Sequence, residues 1–122
     1  DNELLSKLIN SVHAEQNRLQ SQGIHFAERA DKVGINSAAA ACYAIHSAHT
    51  LSTGASLDGT PIWWPLDKQH WSPATPRENL VTAIVLLMNT VQEMDVADAK
   101  VQAEAVAKNT PENSPQPPVT GA

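Results

Sequence analysis

The sequence predicts an all-α protein, a bundle-like domain of three or four helices with a long tryptophan-bearing loop and a disordered proline-rich C-terminal tail. Three observations carry that expectation. Thr75-Pro76-Arg77-Glu78 is a capping box that opens onto apolar residues at helical spacing. Residues 2–22 repeat leucines along one side and stop at a glycine. Residues 37–51 contain a run of alanines, the strongest helix formers.

Taken in order, Asn2 to Gln22 forms the first helix, with Leu4, Leu5, Leu8, Val12 and Leu19 on one side, Ile9 beside them and Gly23 just past the end. The stripe weakens after Val12, so the second half is a solvated extension or a contact surface. Gly23 to Asn36 is a connection long enough to suggest a functional segment or a concealed turn, with Phe26 as its anchor. The second helix runs from Ser37 to Leu51, capped by Asn36 or Ser37. Ala38–Ala41 leave its face smooth enough for a neighbouring helix to approach closely, with Tyr43, Ile45 and Leu51 as surrounding apolar bulk. Ser52 to Ala74 is irregular, broken by Gly54, Gly59, Pro61, Pro65 and Pro73. Its tryptophans, Trp63, Trp64 and Trp71, are too apolar to stay wet and should fold against helices two and three.

The third helix is the apolar centre. Pro76 falls at its first position, where a missing N–H is harmless. Leu80, Val81, Ile84, Val85, Leu87, Met88 and Val91 then follow the spacing of a broad buried stripe, to about Met94. Asp95 to Lys108 reads as a fourth helix, separate or continuing, with Asp95 as a candidate cap. The domain is thus 1–108, and 109–122 is a tail whose four prolines leave almost nothing to bury.

Composition excludes several classes. A net charge of −5 argues against general nucleic-acid or membrane-surface binding. The single cysteine, Cys42, rules out an internal disulfide framework and suits a reducing cytoplasm. The longest apolar run, Ala83 to Met88, is too short to cross a bilayer. The chain opens at Asp1, implying that something upstream was removed or omitted.

AAAACYA at 38–44, WWPLDKQHWSP at 63–73 and RENLV at 77–81 together resemble a group of small proteins and domains encoded by tailed phages and prophages. Members share an alanine-rich helix ending in a Cys-Tyr-Ala-like step, a Trp-Pro…Trp-x-Pro loop and a basic-polar start to an apolar helix. Glu15-Gln16-Asn17-Arg18 and Gly23 resemble the group's Glu-Arg-x-Arg…Gly approach. The likeness covers residues 15 to 92. It departs at 25–31, where the group has a His-Asp-Asp-x-His cluster and this chain has His25-Phe26-Ala27-Glu28-Arg29-Ala30-Asp31. The histidines there do not align with that cluster. Relatives beside nucleotide-pyrophosphohydrolase-like domains imply nucleotide metabolism or host interference, by association alone.

Candidate chemistry is sparse. His46 and His49 share a face, but a metal site would need a third ligand from His70, Asp67 or His13, and surface or structural histidines are the better reading. Glu28, Asp31 and Glu15 could serve a Mg²⁺-dependent hydrolase, yet no ExxE spacing occurs, and solvated carboxylates are the simpler reading. Cys42 in its alanine run reads as a small hydrophobe and not a nucleophile. Trp64 reads as core, and Trp63 as either core or a stacking platform for a flat ligand. Arg18, Arg29, Lys68 and Arg77 are the cations that could hold a phosphate, with the first-turn amides beside Arg77 favouring an anion.

The expected ligand-binding set is therefore Trp63, Trp64, Lys68, Arg77, Arg18 and Arg29, with no catalytic residue, metal or cofactor. The leading expectation is a cytoplasmic phage or prophage accessory protein acting in its bacterial host. It would engage a host protein or a nucleotide-like small molecule without catalysis, and assemble as a homo-oligomer. The alternatives are a metal-dependent nucleotide pyrophosphohydrolase, and a virion or complex component held through its tail.

Overall fold

The computed structural model describes residues 2–22 and 34–113. They form three helices, α1 (Asn2–Ser21), α2 (Ile35–Thr53) and α3 (Pro76–Asn113), with one 3-10 turn at Lys68–His70 in the loop before α3. Phe26, the segment around it and the tail beyond 113 lie outside the described residues.

The ends of α2 differ most from those the sequence predicts, and it closes at Thr53, before a left-handed Gly54, and not at Leu51. α2 starts at Ile35, not Ser37, because Gly34 takes the N-cap position with φ 91° and no side-chain cap. A left-handed backbone there suits glycine alone, so Asn36 and Ser37 fall inside the first turn. Of the two readings the sequence leaves open for Asp95 to Lys108, the continuing one holds: α3 runs unbroken past Asp95 to Asn113. No glycine or proline interrupts 77–109, and the alanines after Asp95 outweigh its weak preference for a cap.

The described residues fall into two units, one up to Thr90 and one from Val91. In the second, every described side chain from Val91 to Asn109 is exposed. The first holds the core. Leu19 of α1, Ile35, Ala39, Ala40, Cys42 and Tyr43 of α2, Trp64 of the loop and Ala83, Val85 and Leu86 of α3 form one buried cluster. Of the bulk expected around the alanine face only Tyr43 turns inward; Ile45 and Leu51 are exposed. The face buries small residues instead, and α3 comes close: Ser47 Oγ donates to the Pro76 carbonyl at 2.9 Å.

α1 and α3 run side by side in the same sense, since Ser11 meets Arg77 and Glu15 meets Thr82 at nearly constant offset. The apolar stripe that buries Leu19 and half-buries Val12 continues to Leu4, Leu5, Leu8 and Ile9, all exposed. By length and composition α3 is the one described helix that could cross a bilayer, with mean hydropathy 1.4 over an eighteen-residue window that is 28% buried. Its inner residues belong to the core, and a core helix passes the same test.

The tryptophans divide. Trp64 is buried, edge-on to Tyr43 at 5.6 Å, and its indole N–H donates to the Asp67 carbonyl at 3.0 Å. Trp71 is half-buried against Tyr43 at 4.7 Å and against Trp64 at 4.9 Å. Trp63 is 80% exposed, contrary to the expectation that all three rings fold inward. Pro61–Trp64 is a tight turn closed by the Trp64 N–H donating to the Pro61 carbonyl at 3.1 Å, with Trp63 inside the turn and Trp64 at its inward end.

The capping box forms as the sequence predicts. Glu78 N–H donates to Thr75 Oγ1 at 3.2 Å, and Thr75 N–H donates to Glu78 Oε1 at 3.2 Å. The Thr75 hydroxyl also reaches Glu78 Oε1 at 2.8 Å. These bonds, the Thr75 hydroxyl first, hold the Glu78 carboxyl below its usual range. A depressed carboxyl contributes stability above its unfolded pKa, about 4.3, and loses that contribution as pH falls through the folded value. Glu78→Gln should therefore flatten the acid side of a plot of Tm against pH between 7 and 3. Thr75→Ala should cost about 0.5–2 kcal/mol in urea unfolding at neutral pH.

Candidate functional site

Two concave surfaces compete. The larger, about 630 Å³, lies along α1 from Asn2 to Ala14, but one helix alone walls it and cannot enclose a ligand. The smaller, about 440 Å³, is walled by α1, by the loop at Ser72 and Ala74, and by the first turns of α3. It gathers Ser11, Glu15 and Arg18 opposite Arg77, Glu78, Asn79 and Thr82, and its polar side chains converge. This cleft is the candidate site.

Its far wall is held by Glu15. Arg18 Nε donates to Glu15 Oε1 at 2.7 Å and Arg18 Nη2 to Oε2 at 2.6 Å, a bidentate pair one turn apart on α1. The Thr82 hydroxyl donates across from α3 to the same carboxylate. Arg18 Nη1 donates to Gln22 Oε1 at 3.1 Å. The Glu15 hydrogen bonds raise the Arg18 pKa, so this guanidinium stays charged throughout the working pH range.

Its floor is Asn79, buried at the start of α3. Ala74 N–H donates to Asn79 Oδ1 at 2.7 Å, which fixes the orientation of the amide. Asn79 Nδ2 therefore faces the Ala74 carbonyl at 3.2 Å and His46 Nδ1 at 3.3 Å, both as donor. It follows that His46 Nδ1 is the acceptor and the neutral ring carries its proton on Nε2. His46 is buried and edge-on to Trp71 at 5.8 Å, so it is a structural group of the aromatic corner.

The near wall is Arg77, whose Nη2 donates to Ser11 Oγ at 3.1 Å. Among the described residues no carboxylate forms an ion pair with it, the one such pair being Arg18 with Glu15. The backbone around it has little to offer an anion. Thr75, Glu78, Asn79 and Ala74 N–H groups are all taken within the cap. Most donors of the expected anion-binding first turn are thus spent within the cap, and the Arg77 guanidinium is the main group left to meet an anion.

No family model, curated protein or solved structure matches this chain.

Of the six residues the sequence singles out, Arg18 and Arg77 are brought together in this cleft from opposite helices. Trp64 is closed inside the core and cannot stack on a ligand. Trp63 and Lys68 are exposed on the loop and line neither concave surface, and Arg29 lies outside the described residues, as do Glu28 and Asp31. No three His, Cys, Asp or Glu side chains converge among the described residues. Cys42 is buried, and desolvation pushes its thiol pKa up, so it stays protonated and unreactive near neutrality.

Sequence reasoning missed Ser11, Asn79 and Thr82 as site residues. Ser11 and Thr82 sit four residues from Glu15 and Glu78, one helical turn away, and that spacing was the available signal. Nothing in the sequence marks Asn79 as buried.

Proposed function

We propose that this chain works by binding and not by turnover, as a small helical accessory protein of the kind its phage-like motifs resemble. Its cleft between α1 and the start of α3 takes a small acidic group, a phosphate or carboxylate.

The observation that carries this reading is a surplus of donors. Two guanidinium groups offer five N–H donors each, and of these three on Arg18 and one on Arg77 are taken by the protein. Both cleft carboxylates are meanwhile engaged by Arg18, Thr82 and Thr75. What remains unspent is cationic and mostly Arg77. A planar fork of this kind matches an acid group with two oxygens. The cleft's formal charges balance, two arginines against two glutamates, so a single phosphate or carboxylate group fits better than a triphosphate.

Titration with inorganic phosphate and with a nucleoside 5′-monophosphate, followed by tryptophan fluorescence and calorimetry, tests it. Trp71 is the reporter, because its neighbour Ser72 forms the cleft rim and donates its N–H to the Tyr43 hydroxyl. Saturable binding without hydrolysis is expected, and Arg77→Gln should weaken it about 10- to 100-fold, the worth of a charge-assisted hydrogen bond. Arg77 is exposed, so the variant should keep its Tm. Equal affinity in the variant, or no saturation by either probe, rejects the reading.

A further inference from the structure

α3 carries two apolar faces, and the core uses one. Val81, Ala83, Val85 and Leu86 are buried on the inner side with Asn79 and Thr82. On the opposite side Leu80, Ile84, Leu87 and Met88 are each between about a third and a half bare. In the sequence the same helix continues that spacing with Val91 and Met94, both exposed.

The spacing of the outer residues is specific. Leu80, Ile84, Leu87, Val91 and Met94 alternate four and three apart, the heptad seam of a coiled coil. Ile84 and Val91 fall on one seam position and Leu80, Leu87 and Met94 on the other. β-Branched residues at the first and leucine at the second favour two parallel strands. We propose that a second copy of this chain covers the outer stripe, the two α3 helices pairing in parallel and in register about a two-fold axis.

Three further features fit that occupant. An isologous contact needs a self-complementary patch, and a seam of this pattern is one. No charged residue lies between Glu78 and Glu93, so two copies of a chain of net charge −5 meet no like charges over residues 79–92. Six aliphatic side chains that are about half bare make a small patch, so the contact lies at the low, transient end of interface sizes, under about 1,200 Å² over two copies. The pairing should accordingly be reversible. In the sequence the seam ends at Asp98, which would face its own copy in register. Lipid is the weaker candidate, because an interfacial helix flanks its apolar stripe with Lys and Arg, and none occurs from Asn79 to Ala99.

Sedimentation velocity of the 122-residue chain over roughly 5–500 μM tests the pairing, with Leu87→Glu alongside. A concentration-dependent dimer is expected, its dissociation constant raised at least tenfold in Leu87→Glu with helicity by circular dichroism unchanged. Leu87 is 48% exposed, so the charge enters solvent and not the core. As an independent reading, Ile84→Cys should cross-link to its own copy through a short bismaleimide, while the parent chain, whose Cys42 is buried, should not. A monomer throughout the concentration range, an unaffected dimer in Leu87→Glu, or an Ile84→Cys chain that does not cross-link overturns the proposal. So does a monomer that floats with neutral phosphatidylcholine vesicles, which would assign the stripe to lipid.

Discussion

Trp64→Ala should remove about 3–5 kcal/mol of stability, the range for truncating a large buried aromatic. The ring is 8% exposed and packs against Tyr43 and Trp71, both of which lose a wall when it goes. Its removal also vacates the Asp67 carbonyl that its indole N–H satisfies, loosening the turn that presents Lys68–His70. A folded domain of this size holds about 5–15 kcal/mol in all, so the variant should be partly unfolded at 37 °C. Trp63→Ala, one residue away in the chain, should stay within about 0.5 kcal/mol of the parent, as a surface substitution does. Urea denaturation of the two variants side by side checks both at once. A large loss at Trp63, or a small one at Trp64, would mean that the aromatic corner is built differently.

That contrast marks the limit of what the sequence made legible. The helix starting at Pro76 could be read directly, because a capping box and an apolar stripe are local signals and nothing distant had to be known. The cleft was half legible. Arg18 and Arg77 stood out as cations, but their meeting depends on α1 and α3 lying in the same sense, which no local pattern encodes. The sequence places the apolar stripe of α1 mainly before Val12 and that of α3 out to about Met94, yet the structure buries Leu19, in the weaker half of α1, and only the inner side of α3. Periodicity reports that a face wants cover and cannot report whether the cover comes from the same chain. The connection at 23–33 lies outside the described residues.

The second large effect should come from Asn79, whose side chain is 1% exposed and joins three partners. Its amide accepts from Ala74 N–H and donates to both the Ala74 carbonyl and His46 Nδ1. Leucine is close to asparagine in volume and more apolar, so burial alone would make Asn79→Leu neutral or favourable. The hydrogen bonds decide otherwise. Leucine leaves His46 Nδ1 and both polar groups of Ala74 without their partner, and an orphaned buried polar group costs about 1–3 kcal/mol. Ala74 is exposed enough for water to recover part of its share, whereas His46 is buried at 3% exposure. The net loss should be about 2–4 kcal/mol. It should also carry a structural signature, since Ala74 sets the cleft rim and Thr75 after it begins the cap. Adding His46→Leu to Asn79→Leu removes the stranded acceptor, so the double variant should be less destabilised than the sum of the singles. Additive losses in that cycle would show that His46 and Asn79 are neighbours without being partners, and the cleft floor would then owe its shape to packing alone.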